Sequence, residues 1–364
     1  MNATTEIRSM LCDAATRLFT DHVTQKMLDA AKHDGWSAAL WTELEKAELP
    51  LVGVPEEAGG AGGSLSDTAA VLRIAARHAA PVPLAETALA GWLLASAGLK
   101  VPHGPLTVGP VLDEKLTAVK DGATWRVSGE LKRVPYARMA KQWVLLANSN
   151  SGLMVMAVNP ADGRITQGRN LANEPRDNVT LDNVAALAAA PAGAGITRTS
   201  LQTRGALLRA VQTGGALEHA LHLACEYARQ RTQFGRRLAQ FQAIQQEIAR
   251  CGGEVAAAVA ASLSAAGVVE RLAHDHSAAA AQQALLAVAA AKIRTADAAR
   301  EAVAITHQVH GAIGVTDEYA LHHVTLRALA WREEFGSEVY WSMALGRAML
   351  ATGADDYWPA LSSA

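Results

Sequence analysis

From about residue 200 almost to its end, the chain repeats apolar residues every three to four positions, and this period limits its fold more than any other feature. "ALEHALHLACEYA" sets Leu217, Ala220, Leu221, Ala224 and Ala228 on one stripe. "FQAIQQEIA" does the same with Phe241, Ile244 and Ile248. A long run, "AAAQQALLAVAAAKIRTADAAREAVAITHQVHGAIG", supplies another helix and stops at Gly311 and Gly314. Four or more amphipathic helices with short breaks bury their stripes against one another, which predicts a bundle. Half of the 364 residues are hydrophobic but only 5% are aromatic. Small side chains of that kind let helix backbones approach closely.

The first hundred residues are also helical, in shorter pieces. "AALWTELEKAEL" carries Leu40, Leu44, Ala47 and Leu49 at helical spacing, and Ser64 with Asp67 forms a capping-box pattern ahead of "LSDTAAVLRIAARHAA". The turn before it, "PEEAGGAGGS", has Leu65 where a phosphate loop needs a third glycine, and no βαβ pattern surrounds it. It reads as a permissive connection between helices. Near Pro102 the period changes to two. Asp121-Gly122 and "NSNSG" each sit between β-rich runs, which predicts two hairpins, and "DNVTLDNV" adds a strand before the flexible "AAAPAGAG". The expected fold class is α+β, mainly α. It comprises an N-terminal helical domain (1–102), a small antiparallel β-barrel or sandwich domain (103–195) and a C-terminal four-helix bundle (196–364).

A net charge of −2 without a long basic run gives no footprint for nucleic acid. Cys12, Cys225 and Cys251 are far apart and form no C-x-x-C, which favours a reducing, cytoplasmic setting over disulfides or zinc. The N-terminus carries acids and lacks a continuous apolar core, unlike a secretory signal. "VAAAVAASLSAAGVV" (255–269) is short for a bilayer span and reads as a helix of the bundle, so no membrane is expected. His219 with His222, His322 with His323, and His274 with His276 lack a third ligand at suitable spacing and read as polar helix faces, so no metal is expected.

Three stretches resemble the acyl-CoA dehydrogenase superfamily. "YARQRTQFGRRLAQFQAIQQEIA" is similar to its signature Y-A-x-x-R-x-x-F-G followed by a glutamine-containing helix. "QVHGAIGVTDEY" resembles its Q-x-x-G-G-x-G segment, and "LPLVGVPEEAGGAGG" its V-P-E-x-x-G-G-x-G turn. The resemblance covers nearly the whole chain. It implies FAD as cofactor, an acyl-CoA thioester as substrate and an electron-transferring flavoprotein as acceptor. It assigns Arg231, Phe234, Gln242, Gln308, Gly311, Gly314 and Ser337 to the cofactor. The residue types suit that role. Arg231 offers a guanidinium to a diphosphate and Phe234 an apolar face to adenine, while Gln242 and Gln308 are neutral donors. Gly311 and Gly314 let main-chain N–H groups approach. In the family these groups reach the flavin of a neighbouring subunit, so a dimer or tetramer, or a heteromer with a sister subunit, is implied.

Two departures from the family pattern stand out. The segment T-E-P-x-A-G-S-D is replaced by the shorter "PLTVGPVLDEKLTAV", and W-I-T by Arg133-Val134-Pro135. The family's base, a Glu before Gly-Thr, falls on Phe335, before Gly336-Ser337. The reaction needs a desolvated carboxylate of raised pKa over the α-proton. Glu334 is the nearest candidate and is taken as the catalytic residue, with Glu333 as a neighbour. One position rotates a side chain by about 100° on a helix, so the shift is not neutral. Some members carry the base on the first bundle helix, but "LQTRGALLRAV" contains no acid, and Glu218 two turns on reads as solvated or ion-paired. The expected reaction is α,β-dehydrogenation of an acyl-CoA, with a bulky or unusual acyl group. A base-less partner subunit of a heteromeric enzyme and a flavin-dependent monooxygenase stay open as rivals.

Overall fold

The computed structural model describes residues 3–110, 115–353, 355–356 and 358–359. Five helices come first: α1 (Ala3–His22), α2 (Gln25–Asp34), α3 (Ala38–Lys46), α4 (Leu65–Arg77) and α5 (Leu84–Ser96). α4 starts with a complete capping box. The Ser64 hydroxyl accepts the Asp67 N–H, and the Asp67 carboxylate accepts the Ser64 N–H. The glycine-rich turn ahead of it folds tightly on itself, since a Cβ on Gly60 would lie 2.2 Å from the Val54 carbonyl oxygen. α5 buries most of its length, including Glu86 and Thr87, as a helix apolar nearly all round must.

Seven strands follow: β1 (Leu106–Val108), β2 (Thr117–Asp121), β3 (Thr124–Pro135), β4 (Gln142–Ser149), β5 (Gly152–Val158), β6 (Arg164–Thr166) and β7 (Arg176–Pro191). Both expected hairpins form, β2–β3 with Asp121 opposite Thr124 and β4–β5 with Ser149 opposite Gly152. The sheet runs β1-β4-β2-β3-β7-β5, and pairing of β5 with β4 closes it into a ring. It is not wholly antiparallel, because β1 and β2 each pair with β4 in parallel. The expected flexible "AAAPAGAG" is also corrected in part: β7 continues through Ala185–Pro191 and pairs with Met154–Val158 of β5. The substituted segment before the first hairpin falls partly on residues 111–114, outside the described residues.

The remainder is helical: α6 (Arg198–Gln230), a short hairpin of β8 (Thr232–Gln233) and β9 (Arg236–Arg237), α7 (Gln242–Arg271), α8 (Ala278–His310), α9 (Leu321–Trp331) and α10 (Glu338–Thr352). α6, α7 and α8 pack on one another, α9 lies on α6, and α10 lies on α8. The apolar stretch 255–269 belongs to the much longer α7. By length and composition alone, that helix could cross a membrane; here one face of it is buried against the other helices. One continuous core joins the early helices, the outer face of β1, β4 and β5, and the first half of α6. A second fills the sheet interior, and a third fills the far end of the helical region. The molecule is thus α+β and mainly α.

Candidate functional site

The turn between α9 and α10 holds the residues on which the chemistry depends. Its backbone reverses at Phe335 (φ +52°) and Gly336 (φ +94°). Lys292 of α8 anchors it: the buried Nζ donates to the carbonyls of Trp331 (2.8 Å) and Arg332 (3.0 Å). Burial lowers the Lys292 ammonium to about 7, only partly opposed by Glu334. On the other side Trp341 Nε1 donates to the Phe335 carbonyl at 2.9 Å.

Glu334 points inward from this turn into a buried ionic cluster. Arg176, the first residue of β7, donates Nε to Oε1 at 2.7 Å and Nη2 to Oε2 at 3.0 Å, a two-point clamp. Asn170 donates to Oε1 at 3.2 Å. Arg209 of α6 places Nε 2.8 Å from Oε2, close enough for an ion pair although the N–H is not aligned for a hydrogen bond. Arg209 also holds Glu86 of α5, and Arg176 holds Glu174, which in turn accepts from Trp331 Nε1 and meets Arg327. Burial alone would raise the Glu334 carboxyl. Arg176 and Arg209 outweigh it and bring the group down to about 2. The expectation of a base of raised pKa at Glu334 therefore meets the opposite electrostatics, an anion saturated by guanidinia. Glu333 lies half-exposed against Arg332 at 2.8 Å and faces away from the cluster. Glu218 is paired with Arg73 at 3.0 Å.

Phe335, at the family's base position, lies on Gly205 of α6: a Cβ there would be 2.3 Å from the ring. Phe335 and Gly205 line a narrow cavity with Glu86, Leu89, Val108, Leu208 and Arg209. Its only charged groups are Glu86 and Arg209, which are already paired with each other. The turn that carries the base in the resembled family and the first bundle helix thus meet here, through Phe335 and Gly205.

The residues assigned to the cofactor, Ser337 excepted, gather at the other end of α6. Arg231 is its C-cap, exposed, with no carboxylate partner among the described residues; Glu226 pairs with Arg229 instead. Phe234 follows at φ +53° and is 90% exposed, meeting Phe241 edge-on at 6.3 Å. The ring is thus held out from the bundle by a backbone in the left-handed region. Tyr227, one turn before Arg231, stacks at 4.6 Å on His310, which precedes Gly311 (φ +63°). The ends of α6 and α8 are thereby joined, so Arg231, Phe234, Gln242, Gln308 and Gly311 share one end of the bundle; Gln242 and Gln308 are exposed there. Gly314 is buried beneath them, where a Cβ would lie 2.9 Å from His310.

Ser337 is not at that end. It caps α10, accepting the Tyr340 N–H beside the Glu334 cluster. Arg209 and Arg231 are 22 positions apart on one helix, about 33 Å at 1.5 Å per residue, so the Glu334 cluster and the Arg231 end are separate places. In the segment that replaces W-I-T, Val134 is buried, Pro135 has no N–H to offer, and Arg133 stands at φ +56° with its N–H given to the Asn178 side chain. The residues present fit the diphosphate and adenine end of FAD better than its ring.

Arg176, Arg209, Glu86, Glu174 and Asn170 were not anticipated from the sequence. The available signal was a lone charge inside an apolar helix, as in "ALLRAV" and "LAETALAGWLLA", because such a charge needs a buried partner.

Helices on either side of a closed sheet are the architecture of a class of flavoprotein oxidoreductases. Residues 5–100 match the acyl-CoA dehydrogenase N-terminal domain and residues 192–350 the C-terminal domain. The chain belongs to the acyl-CoA dehydrogenase family, FAD-dependent oxidoreductases. It is 28% identical over 330 residues to acyl-CoA dehydrogenase IpdE2 of Mycolicibacterium smegmatis, covering 89% of this chain and 92% of the relative. A solved variant of the Tcur3481-Tcur3483 steroid ACAD is 29% identical, with a TM-score of 0.83 over 96% of this chain and 99% of that one. Butyryl-CoA dehydrogenase of Megasphaera elsdenii, 18% identical with a TM-score of 0.82 over 96% and 99% of the two chains, shares the fold.

Proposed function

We propose that this chain is one subunit of a heteromeric acyl-CoA dehydrogenase that converts an acyl-CoA thioester to its 2,3-enoyl form, and that a sister subunit supplies the base. The observation that carries this reading is Glu334 between Arg176 and Arg209. A carboxylate brought to about 2 has little affinity for the weakly acidic α-proton. No other acid reaches the Phe335–Gly205 contact among the described residues except Glu86, which Arg209 neutralises.

FAD, when bound, takes up the hydride from the β-carbon. This chain's part is to hold the far end of that cofactor: Arg231 and the N–H groups around Gly311 on the diphosphate, Phe234 on the adenine, Gln242 and Gln308 as neutral donors. The flavin ring then lies in the sister subunit, which agrees with the altered Arg133-Val134-Pro135. The 29%-identical relative is a steroid ACAD named for two chains, Tcur3481 and Tcur3483. That likeness supports a heteromer and a ring-bearing or otherwise bulky acyl group. Electrons leave for an electron-transferring flavoprotein in this reading.

The test is reconstitution. The chain alone, loaded with FAD, is expected not to be bleached by acyl-CoAs, and bleaching is expected once a sister subunit carrying the family's Glu is added. Full activity of the chain alone would reject the proposal.

A further inference from the structure

The end of the bundle that carries Arg231 is joined by three rings, each touching the other two: Tyr227 of α6, His310 at the end of α8, and Tyr319 just before α9. Tyr227 and His310 stack at 4.6 Å, His310 and Tyr319 meet at 4.8 Å, and the two tyrosines stand edge-on at 5.9 Å. His310 is the most buried of the three, 4% exposed. Its Nδ1 donates to the Thr306 carbonyl at 2.7 Å, which fixes the tautomer, because a carbonyl can only accept. The lone pair on Nε2 is buried and meets no donor among the described residues. His307 is in the same state. Thr325 gives its hydroxyl proton to the Leu321 carbonyl, so His307 Nε2 donates to Thr325, and Nδ1 is left buried without a partner among the described residues.

The backbone on either side of these rings leads directly to groups assigned to the cofactor. The Tyr227 carbonyl accepts the Arg231 N–H at 2.8 Å. His310 precedes Gly311, whose φ of +63° and ψ of −143° suit glycine alone. The chain then folds back, so that a Cβ on Gly314 would lie 2.9 Å from the His310 Cβ. We infer that His310 is a positioning residue for this end: as a neutral ring packed on both tyrosines, it sets the distance between Arg231 and the Gly311 turn. The inference rests on the reading that FAD is held here. A second proton on His310 would bring a charge and an unmatched N–H into the cluster. The ionisable groups around it are Tyr227 and Glu226 on α6, His307 on α8, and Asp317, Tyr319 and His322 beside α9. Glu226 pairs with Arg229 and Asp317 with Lys32, and no carboxylate contacts His310 among the described residues. Burial holds both His310 and His307 below the ordinary 6.5. An opened ring therefore binds the proton more tightly than a packed one, so the arrangement is intact above pH 6.5 and is lost as pH falls below it.

The experiment compares FAD affinity and hydrogen exchange at pH 7.5 and pH 5.0, on the protein assembled as purified. In the natural chain FAD should bind about threefold or more weakly at the lower pH, and residues 311–319 should exchange about threefold or more faster after correction for the intrinsic effect of pH. His310→Phe keeps a ring but cannot take a proton. It should bind FAD within about twofold of the natural chain at pH 7.5 and lose most of both responses. His310→Ala removes the ring and should weaken FAD about fivefold or more at pH 7.5. Melting temperatures identify a variant that fails to fold, and the comparison within the natural chain stands without either variant. Exchange that follows His310 while FAD affinity does not would keep the positioning and reject this end as the flavin site. Exchange that ignores pH in the natural chain, or responds equally in His310→Phe, overturns the inference.

Discussion

The ring of Phe335 rests on the bare backbone of Gly205, so that a single methyl group at position 205 would lie 2.3 Å from it. Gly205→Ala should cost about 1–3 kcal/mol by overpacking. Phe335→Ala removes the ring that the new methyl would strike, so the double variant should be less destabilised than the two single effects added together. Chemical denaturation of the four proteins measures this, and simple additivity would show that the contact is not formed.

Glu334 is the counter-ion that lets two arginines remain inside. Glu334→Gln leaves both guanidinia partly uncompensated and should destabilise the fold by about 3–5 kcal/mol. Glu333→Gln, at the half-exposed neighbour, should change stability by no more than about 0.5 kcal/mol. Equal effects at both positions would contradict the cluster.

The same group sets an acid limit. Its folded value of about 2 lies below its ordinary 4.5, so its contribution is complete above 4.5 and is lost as pH falls from 4.5 toward 2. The size is on the order of 3 kcal/mol. The stability difference between the natural protein and Glu334→Gln, followed by denaturant midpoint against pH, should be constant near neutrality and shrink through that window.

Phe234 is 90% exposed and its one ring contact is the edge-on meeting with Phe241. Phe234→Ala should leave the melting temperature of the isolated chain within about 1 °C, since it removes almost no buried area. It should loosen FAD retention and subunit association, read by flavin absorbance after gel filtration.

The helices, both hairpins and the cap at Ser64 were legible because their signals are local: period, turn residues and a three-residue spacing. The parallel pairings of β4 were not, because nothing within a strand states its neighbour. The fate of Glu334 was hidden for the same reason. Its adjacency to the family's base position suggested a base, whereas Arg176, 158 positions away, makes it an ion-pair partner. The lack of an acid at Phe335 and within "LQTRGALLRAV" was readable, but the contact of Phe335 with Gly205 was not. Arg231, Phe234 and Gln308 were visible as residue types; that they share one end of the bundle follows from Tyr227 stacking on His310.

Anaerobic mixing of the FAD-loaded chain, purified without any sister subunit, with straight, branched and ring-bearing acyl-CoAs tests the central claim most directly. The visible absorbance of the flavin should stay unchanged with every thioester. Bleaching that disappears in Glu334→Gln, in a variant that still holds flavin and melts as the natural chain does, would contradict the account.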